Sequence, residues 1–152
     1  MSKSEILIID DEPQIRKLLE ITLESNDYRV WQAATAKEGI LLAASHPPEL
    51  ILLDLGLPDK SGHEVLKEIR SWYNKSVIIL SVQNSEADIV LALDNGAADY
   101  LTKPFRSAEL LARIRSAIRR NSTINFDNKI TCGDLEIDIP ARTVLKNKEI
   151  LK

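Results

Sequence analysis

Short, uninterrupted apolar runs alternate with helical patterns through the first 120 residues of the chain. Runs of four apolar residues occur at 6–9, 50–53 and 77–80. Because they lack polar alternation, these runs predict strands that are covered on both faces, as in the interior of a parallel sheet. Weaker strand patterns at 29–33 and 99–102 bring the predicted number of strands to five.

Helical periodicity fills the intervals between the predicted strands. Ile15, Leu19 and Leu23 fall on one helical face, and Pro13 suits the first turn of that helix. The other helices are predicted over 36–45, 63–72 and 85–95, where Gly96 closes the helix, and over a last segment with apolar Leu110, Leu111, Ile114, Ala117 and Ile118. Five βα units with short loops predict an α/β fold, a (βα)5 doubly wound parallel sheet.

Composition excludes several classes of protein. A single cysteine, Cys132, allows no intrachain disulfide and no cysteine-rich zinc site. No apolar run reaches the ~20 residues that span a bilayer, and the first residues lack the pattern of a signal peptide. We therefore expect a cytoplasmic protein that does not contact a membrane.

The pattern changes after Arg120. Residues 121–128 are polar, lack an apolar period and predict a linker. Residues 129–152 are β-prone, with turns near Pro140 and Asn147, and they are too few to build an independent core. We expect a complete first domain over 1–120 and a truncated, β-rich start of a second domain over 129–152.

Polar side chains follow four of the five predicted strands. Asp10 and Asp11 come after the first strand, Asp54 after the third, Ser81 ends the fourth and Lys103 follows the fifth. Taken singly, each could be a helix cap, a turn residue or a surface charge. In a doubly wound sheet, however, the carboxyl ends of the strands form the ligand-binding edge, so these residues are expected to converge.

The chemistry of this set points to phosphoryl transfer. Clustered carboxylates favour a hard divalent cation such as Mg²⁺ or Mn²⁺. Lys103 supplies a charge for an anionic group, and Ser81 supplies a hydroxyl. A carboxylate beside such a cation can act as the nucleophile that forms an aspartyl phosphate, and Asp54 is the candidate because it lies between the acid pair and the lysine.

These motifs resemble the receiver domain of bacterial two-component response regulators, which has the CheY-like, flavodoxin-like fold. The residues that carry the resemblance are Ile-Ile-Asp10-Asp11-Glu12, Leu-Leu-Asp54-Leu-Gly-Leu-Pro58-Asp59-Lys-Ser-Gly62, Ile-Leu-Ser81 and Asp99-Tyr100-Leu-Thr-Lys103-Pro104-Phe105. Residues 99–120 resemble the OmpR/PhoB family of DNA-binding regulators. Leu-Gly-Leu-Pro-Asp after Asp54, together with Trp72, is similar to the KdpE-type potassium-transport regulators within it.

The resemblance implies a role for each residue at the strand ends. Asp54 would accept a phosphoryl group from a sensor histidine kinase. Asp10, Asp11, Asp54 and the backbone carbonyl of Gly56 would hold Mg²⁺, and Lys103 would contact the phosphoryl group. No other enzymatic activity is expected beyond Mg²⁺-dependent self-phosphorylation and self-dephosphorylation.

The resemblance also implies a conformational switch beside the site. Ser81 would move toward the phosphoryl group, and Tyr100 would rotate inward behind it. The peptide bond between Lys103 and Pro104 is expected to be cis. Pro58 and Gly62 would shape the loop after Asp54, although an ordinary turn explains them equally well.

Phosphorylation would, by the same resemblance, switch the face of the fourth helix, fifth strand and fifth helix to form a homodimer. The expected residues of this face are Leu93, Asp99, Glu109, Leu110, Arg113 and Arg120. Ala98 stands where the family usually has an acidic residue, so Arg113 is expected to lose its partner, while Asp99 could pair with Arg120. Ile89 replaces a basic residue opposite Glu109, and a more apolar interface follows.

Three hypotheses remain open for the function. The first is a transcription regulator that binds promoter DNA through a winged-helix C-terminal domain missing from this sequence. The second is a stand-alone receiver that signals through protein contacts, which the β-prone tail argues against. The third is an Asp-nucleophile phosphatase, which usually needs an acid two residues after the nucleophile, where this chain has Gly56. The basic residues after 103 fit a helix face that serves dimer contacts better than one that binds DNA.

Overall fold

A computed structural model describes residues 3–130 of the chain. Five strands alternate with five helices, which confirms the predicted order of βα units. The elements are β1 (Ser4–Ile9), α1 (Pro13–Glu24), β2 (Tyr28–Ala33), α2 (Ala36–Ser45), β3 (Leu50–Leu53), α3 (Gly62–Arg70), β4 (Ser76–Ser81), α4 (Glu86–Asp94), β5 (Asp99–Thr102) and α5 (Ser107–Ile130).

The five strands form one parallel sheet in the order β2-β1-β3-β4-β5. The three runs without polar alternation, in β1, β3 and β4, occupy the three central positions, and each is buried throughout its run. Burial on both faces explains why these strands carry no polar alternation. The fold is therefore the doubly wound parallel sheet that the sequence predicts, with the strand order of the CheY-like, flavodoxin-like fold that the resemblance implies.

Helices cover both faces of the sheet and divide the core into two clusters. One cluster contains buried residues of α2, α3 and α4, such as Ala43, Leu66 and Ala92. The other contains buried residues of α1 and α5, including Leu23 and Ile114. Because all five strands are parallel, the loops after β1, β3, β4 and β5 lie together at the carboxyl edge of the sheet, where the candidate site lies.

The last helix is longer than the sequence indicates. A linker is predicted over 121–128, but the backbone is helical to Ile130. No glycine or proline interrupts residues 107–130, so nothing in the sequence blocks the helix from propagating. Of the predicted β-rich segment, residues 129 and 130 are helical and 131–152 lie outside the described residues.

The chain divides into two compact units, one ending at Ile118 and one beginning at Arg119. The assignment of 129–152 to a winged-helix domain stays a prediction. Between residues 3 and 130, no helix has both the length and the apolar character needed to cross a membrane.

Candidate functional site

A cleft of about 260 Å³ opens at the carboxyl edge of the sheet. It is lined by Asp11, Glu12, Asp54, Gly56, Ser81, Val82, Gln83 and Lys103. The loops after β1, β3, β4 and β5 each contribute to it. The structure thus brings together the polar residues that the sequence places at the strand ends.

Three carboxylates meet at one end of this cleft. One oxygen each of Asp10, Asp11 and Asp54 lies within 4.8 Å of the others. Asp10 is 2 % exposed and Asp54 is 7 % exposed, whereas Asp11 is open to solvent. Helix α1 begins after Glu12, so Asp11 is not its N-cap and remains available to a ligand. An all-oxygen set with two buried members and one exposed member fits a hard divalent cation that keeps part of its water shell.

The carboxyl group of Asp54 is destabilised in its charged form. Burial raises its pKa, and the negative charges of Asp10 and Asp11 raise it further. The ammonium of Lys103 and a backbone hydrogen bond from Gly56 oppose this effect without cancelling it. Asp54 is therefore a more basic carboxylate than usual, surrounded by charges that a bound cation would offset.

Lys103 is a buried cation that faces this carboxylate cluster. Its Nζ lies 2.7 Å from Asp10 Oδ2, 3.2 Å from Glu12 Oε1 and 3.9 Å from Asp54 Oδ1. Burial lowers the pKa of Lys103, but the hydrogen bond to Asp10 and the charge of Asp54 raise it more, so the net shift is upward. Lys103 is thus not a solvated surface charge, and its peptide bond to Pro104 is cis, as predicted.

The loop after Asp54 is held from two sides. The N–H of Gly62 donates to Leu55 O at 2.9 Å, and a Cβ built on Gly62 would lie 2.5 Å from Asp54 O. The carboxylate of Asp59 accepts from the N–H groups of Ala36 and Lys37 at 2.9 and 3.1 Å, at the first turn of α2. The close approach at Gly62 confirms its predicted role in shaping this loop.

The loop after β4 connects the cleft to Tyr100. Ser81 is buried, and its Oγ accepts from the N–H of Gln83 at 3.1 Å. The Tyr100 hydroxyl donates to Gln83 O at 2.5 Å. Burial and the charge of Asp88 raise the pKa of Tyr100, while a hydrogen bond with Ser81 lowers it. Tyr100 therefore lies inward against the loop, behind Ser81, and its switch role stays a prediction.

The residues predicted for a dimer face are not all on the surface. Leu93 is 44 % exposed on α4, next to exposed Val90 and Leu91. Leu110, in contrast, is 0 % exposed and packs in the core beneath α5, so its assignment to the face is wrong. The helical period places it on the same side as Ile114, which faces the sheet.

The charged residues of this face form ion pairs within the chain. Arg113 binds Asp99 at 2.8 Å and Glu109 at 3.1 Å, and the loss of its partner across a dimer interface stays a prediction. Asp99 accepts from Arg113 because the two side chains meet between β5 and α5, one residue along from Ala98. Arg120 belongs to the second unit of the chain, and it also takes part in an interaction.

Several residues of the site escaped sequence reasoning. Glu12 contributes an oxygen to Lys103, which its position after the acid pair does not indicate. The sequence does not predict the contacts of Asp59, or the pair of His63 with Asp88. Asp59 leaves a local signal, since an acidic residue in a loop often caps a helix, but its partner helix is 22 residues away in sequence.

The chain is similar to one protein family over most of its length. Residues 6–115 match the response regulator receiver domain. The KDP operon transcriptional regulatory protein KdpE of Escherichia coli is 44% identical over 145 residues, which are 95% of this chain and 64% of that protein. The chain therefore spans less than two thirds of this relative's length.

Solved structures show the same fold. A receiver domain protein (CheY-like) from Methanospirillum hungatei is 31% identical with a TM-score of 0.77, covering 80% of this chain and 98% of that one. The BeF3-activated N-terminal receiver domain of Klebsiella pneumoniae RstA is 30% identical with a TM-score of 0.73, covering 76% of this chain and 98% of that one.

Proposed function

The chain belongs to the response regulator receiver domain family, and we propose that its Asp54 accepts a phosphoryl group from a sensor histidine kinase. One observation carries the proposal. The buried Asp54 carboxylate lies in a cleft between two further carboxylates and the ammonium of Lys103, 3.9 Å away. This arrangement suits a nucleophile that gains negative charge and has a cation ready to balance it.

In the proposed step, a carboxylate oxygen of Asp54 attacks the phosphorus of a phosphohistidine. The new O–P bond forms as the P–N bond breaks, and the bonding pair stays on the imidazole nitrogen of the kinase. The product is an acyl phosphate on Asp54. The raised pKa of Asp54 favours this role because a more basic oxygen is a better nucleophile.

The other residues of the cleft would hold the transferred phosphoryl group in place and balance its negative charge. Lys103 offers its ammonium to a phosphoryl oxygen, and Ser81 offers its hydroxyl. Asp10, Asp11, Asp54 and the carbonyl of Gly56 would hold Mg²⁺ or Mn²⁺, which when bound supplies positive charge toward the phosphoryl oxygens. Beyond Mg²⁺-dependent self-phosphorylation and self-dephosphorylation, we propose no enzymatic activity, and we propose a cytoplasmic location for the chain.

The proposed output is a homodimer formed through α4, β5 and α5. Exposed Val90, Leu91 and Leu93 on α4 provide an apolar surface next to the charged pair of Arg113 and Asp99. In the full-length protein, the dimer would bring two C-terminal domains onto promoter DNA and so control transcription; the similarity to KdpE, a transcriptional regulatory protein, supports the transcriptional role. A stand-alone receiver that signals through protein-protein contacts is the alternative.

Acetyl phosphate with Mg²⁺ tests the proposal without a kinase. We expect the chain to gain one phosphoryl group by intact mass and to shift from monomer to dimer in sedimentation velocity. Asp54→Ala should lose both responses, whereas Leu93→Asp should keep the phosphoryl group and lose the dimer. A phosphorylated chain that stays monomeric would remove the dimer from the proposal and favour the stand-alone alternative.

A further inference from the structure

A histidine and an aspartate join α3 to α4 beside the cleft. His63 Nε2 lies 3.1 Å from Asp88 Oδ1. Because a carboxylate oxygen only accepts, Nε2 is the donor. The His63 side chain is 15 % exposed, and its Nδ1 is buried with no hydrogen-bond partner in the described part of the chain. The hydrogen bond to Asp88 is therefore the one that orients this ring.

Asp88 is fixed at its other oxygen as well. Its Oδ2 accepts from the Ser85 hydroxyl at 2.8 Å, and its own N–H donates back to Ser85 Oγ at 3.1 Å. Ser85 is the N-cap of α4. Hydrogen bonds from Ser85 and His63 lower the pKa of Asp88, which shows that both favour its charged form. His63 therefore contacts the first turn of α4 at Asp88, which is itself held by hydrogen bonds to the N-cap residue Ser85.

Each end of this connection is attached to a loop of the candidate site. On the α3 side, His63 follows Gly62, whose backbone packs against the carbonyl of Asp54. On the α4 side, Ser85 ends the loop that follows Ser81 and carries Gln83, the residue whose carbonyl accepts from Tyr100. The connection therefore spans the two loops that border the cleft after β3 and β4.

We propose that His63 and Asp88 form a brace that holds the loop after β4 in the conformation to which Tyr100 bonds. His63 acts here as a positioning residue, since it touches Asp88 and not the cleft. The effect of this brace on ligand binding rests on the proposed function, because Ser81 and Gln83 line the cleft that would receive the phosphoryl group. If the brace holds the loop, a ligand of the cleft binds most tightly when the brace is intact.

The first measurement reads Tyr100 directly and needs no ligand. The chain has three tyrosines, so the ring signals of Tyr100 can be assigned in an NMR spectrum by comparison with Tyr100→Phe. We expect His63→Ala and Asp88→Asn to shift these signals toward those of an exposed ring. His63→Gln should restore them, because its amide nitrogen can donate to Asp88 in place of Nε2.

The second measurement is the affinity of the cleft for beryllofluoride in the presence of Mg²⁺, from ¹⁹F NMR titration of the full chain. We expect His63→Ala and Asp88→Asn to weaken it about fivefold, and His63→Gln to change it less than about twofold. Glu68→Gln is the matched control, because it removes an exposed 3.1 Å ion pair with Lys60 from the same helix without touching α4. It should leave the affinity unchanged.

A double-mutant cycle separates a brace from a general loss of stability. If His63 acts through the loop that Tyr100 holds, His63→Ala combined with Tyr100→Phe should weaken binding no more than the stronger single change. The brace would be overturned if the double variant weakened the affinity by the product of the two single effects. Unchanged Tyr100 signals in both His63→Ala and Asp88→Asn would also overturn it. A wild-type chain that binds no beryllofluoride would contradict the proposed function instead, and the Tyr100 signals would still decide for or against the brace.

Discussion

Lys103 Nζ lies 2.7 Å from Asp10 Oδ2, so the buried lysine that follows β5 and the buried aspartate that follows β1 form an ion pair across the carboxyl edge of the sheet. The two side chains are 93 residues apart in sequence. The same ammonium is 3.9 Å from Asp54. Without a bound cation, Lys103 is therefore the principal positive charge that offsets the carboxylates of the site.

Removing this ammonium should cost stability. We expect Lys103→Met to lower the free energy of unfolding by about 3 kcal/mol in EDTA, because it leaves Asp10 buried without its partner. Urea denaturation measures the change. The matched control is Lys60→Met, which loses only an exposed pair with Glu68 and should cost less than about 1 kcal/mol. Equal losses of unfolding free energy in the two variants would show that the buried pair of Lys103 and Asp10 stabilises the chain no more than an exposed pair does.

Removing the charge of Asp54 should have the opposite effect. Its pKa is raised in the folded chain above the ordinary value of 3.8, so folding disfavours the carboxylate at neutral pH. We expect Asp54→Asn to raise the Tm in EDTA at pH 7. Proton linkage sets the sign of this effect. The folded chain binds the Asp54 proton more tightly than the unfolded chain, so the destabilisation by the charged Asp54 carboxylate decreases as the pH falls through the raised pKa.

The gain from Asp54→Asn should therefore shrink as the pH is lowered toward 3.8. Thermal unfolding across this range, monitored by circular dichroism, measures it. A wild-type chain that is more stable than Asp54→Asn at pH 7 without metal would contradict the inferred cost of burying the charged Asp54 carboxylate beside Asp10.

Mg²⁺ should stabilise the chain through the carboxylate cluster. Saturation to 100 times the dissociation constant should add about 2.7 kcal/mol to the free energy of unfolding. We expect Asp11→Asn to lose most of this gain, because Asp11 is the exposed member of the set and its loss leaves the buried pair with Lys103 intact. Glu24→Gln, an exposed change at the end of α1, should respond to Mg²⁺ like the wild type. An unchanged response in Asp11→Asn would exclude it as a ligand.

The loop after Asp54 should tolerate a methyl group at one glycine and not at the other. A Cβ on Gly62 would lie 2.5 Å from both Asp54 O and Leu55 Cα, which are backbone atoms that cannot rotate away. We expect Gly62→Ala to cost about 3 kcal/mol in chemical denaturation. Gly56→Ala meets nothing closer than 3.8 Å and should cost less than about 1 kcal/mol. Similar costs at both positions would contradict the close approach.

The order of elements could be predicted because each central strand is a run of apolar residues and each helix shows one apolar face. The convergence of Asp10, Asp54 and Lys103 followed from parallel topology, which places all strand ends at one edge. The end of α5 could not be predicted, because polar residues without glycine or proline suit a helix and a linker equally.

Side-chain partners on the surface were the least predictable part. Leu110 was assigned to an exposed face although its spacing from Ile114 already placed it on the buried one. The pair of Arg113 with Glu109 has a helical spacing of four residues, so it was accessible from the sequence. His63 and Asp88 are 25 residues apart in sequence and lie on different helices, so no local sequence pattern predicts their contact.

The central claim is that Asp54 itself carries the phosphoryl group. After incubation with acetyl phosphate and Mg²⁺, borohydride reduces an acyl phosphate to an alcohol, so a phosphorylated aspartate becomes homoserine. Peptide mass spectrometry then identifies the position. We predict homoserine at position 54 in the wild type, dependent on Mg²⁺, and at no position in Asp54→Ala. Homoserine at Asp10 or Asp11 in the wild type, or its complete absence from a folded and Mg²⁺-saturated chain, would contradict the account.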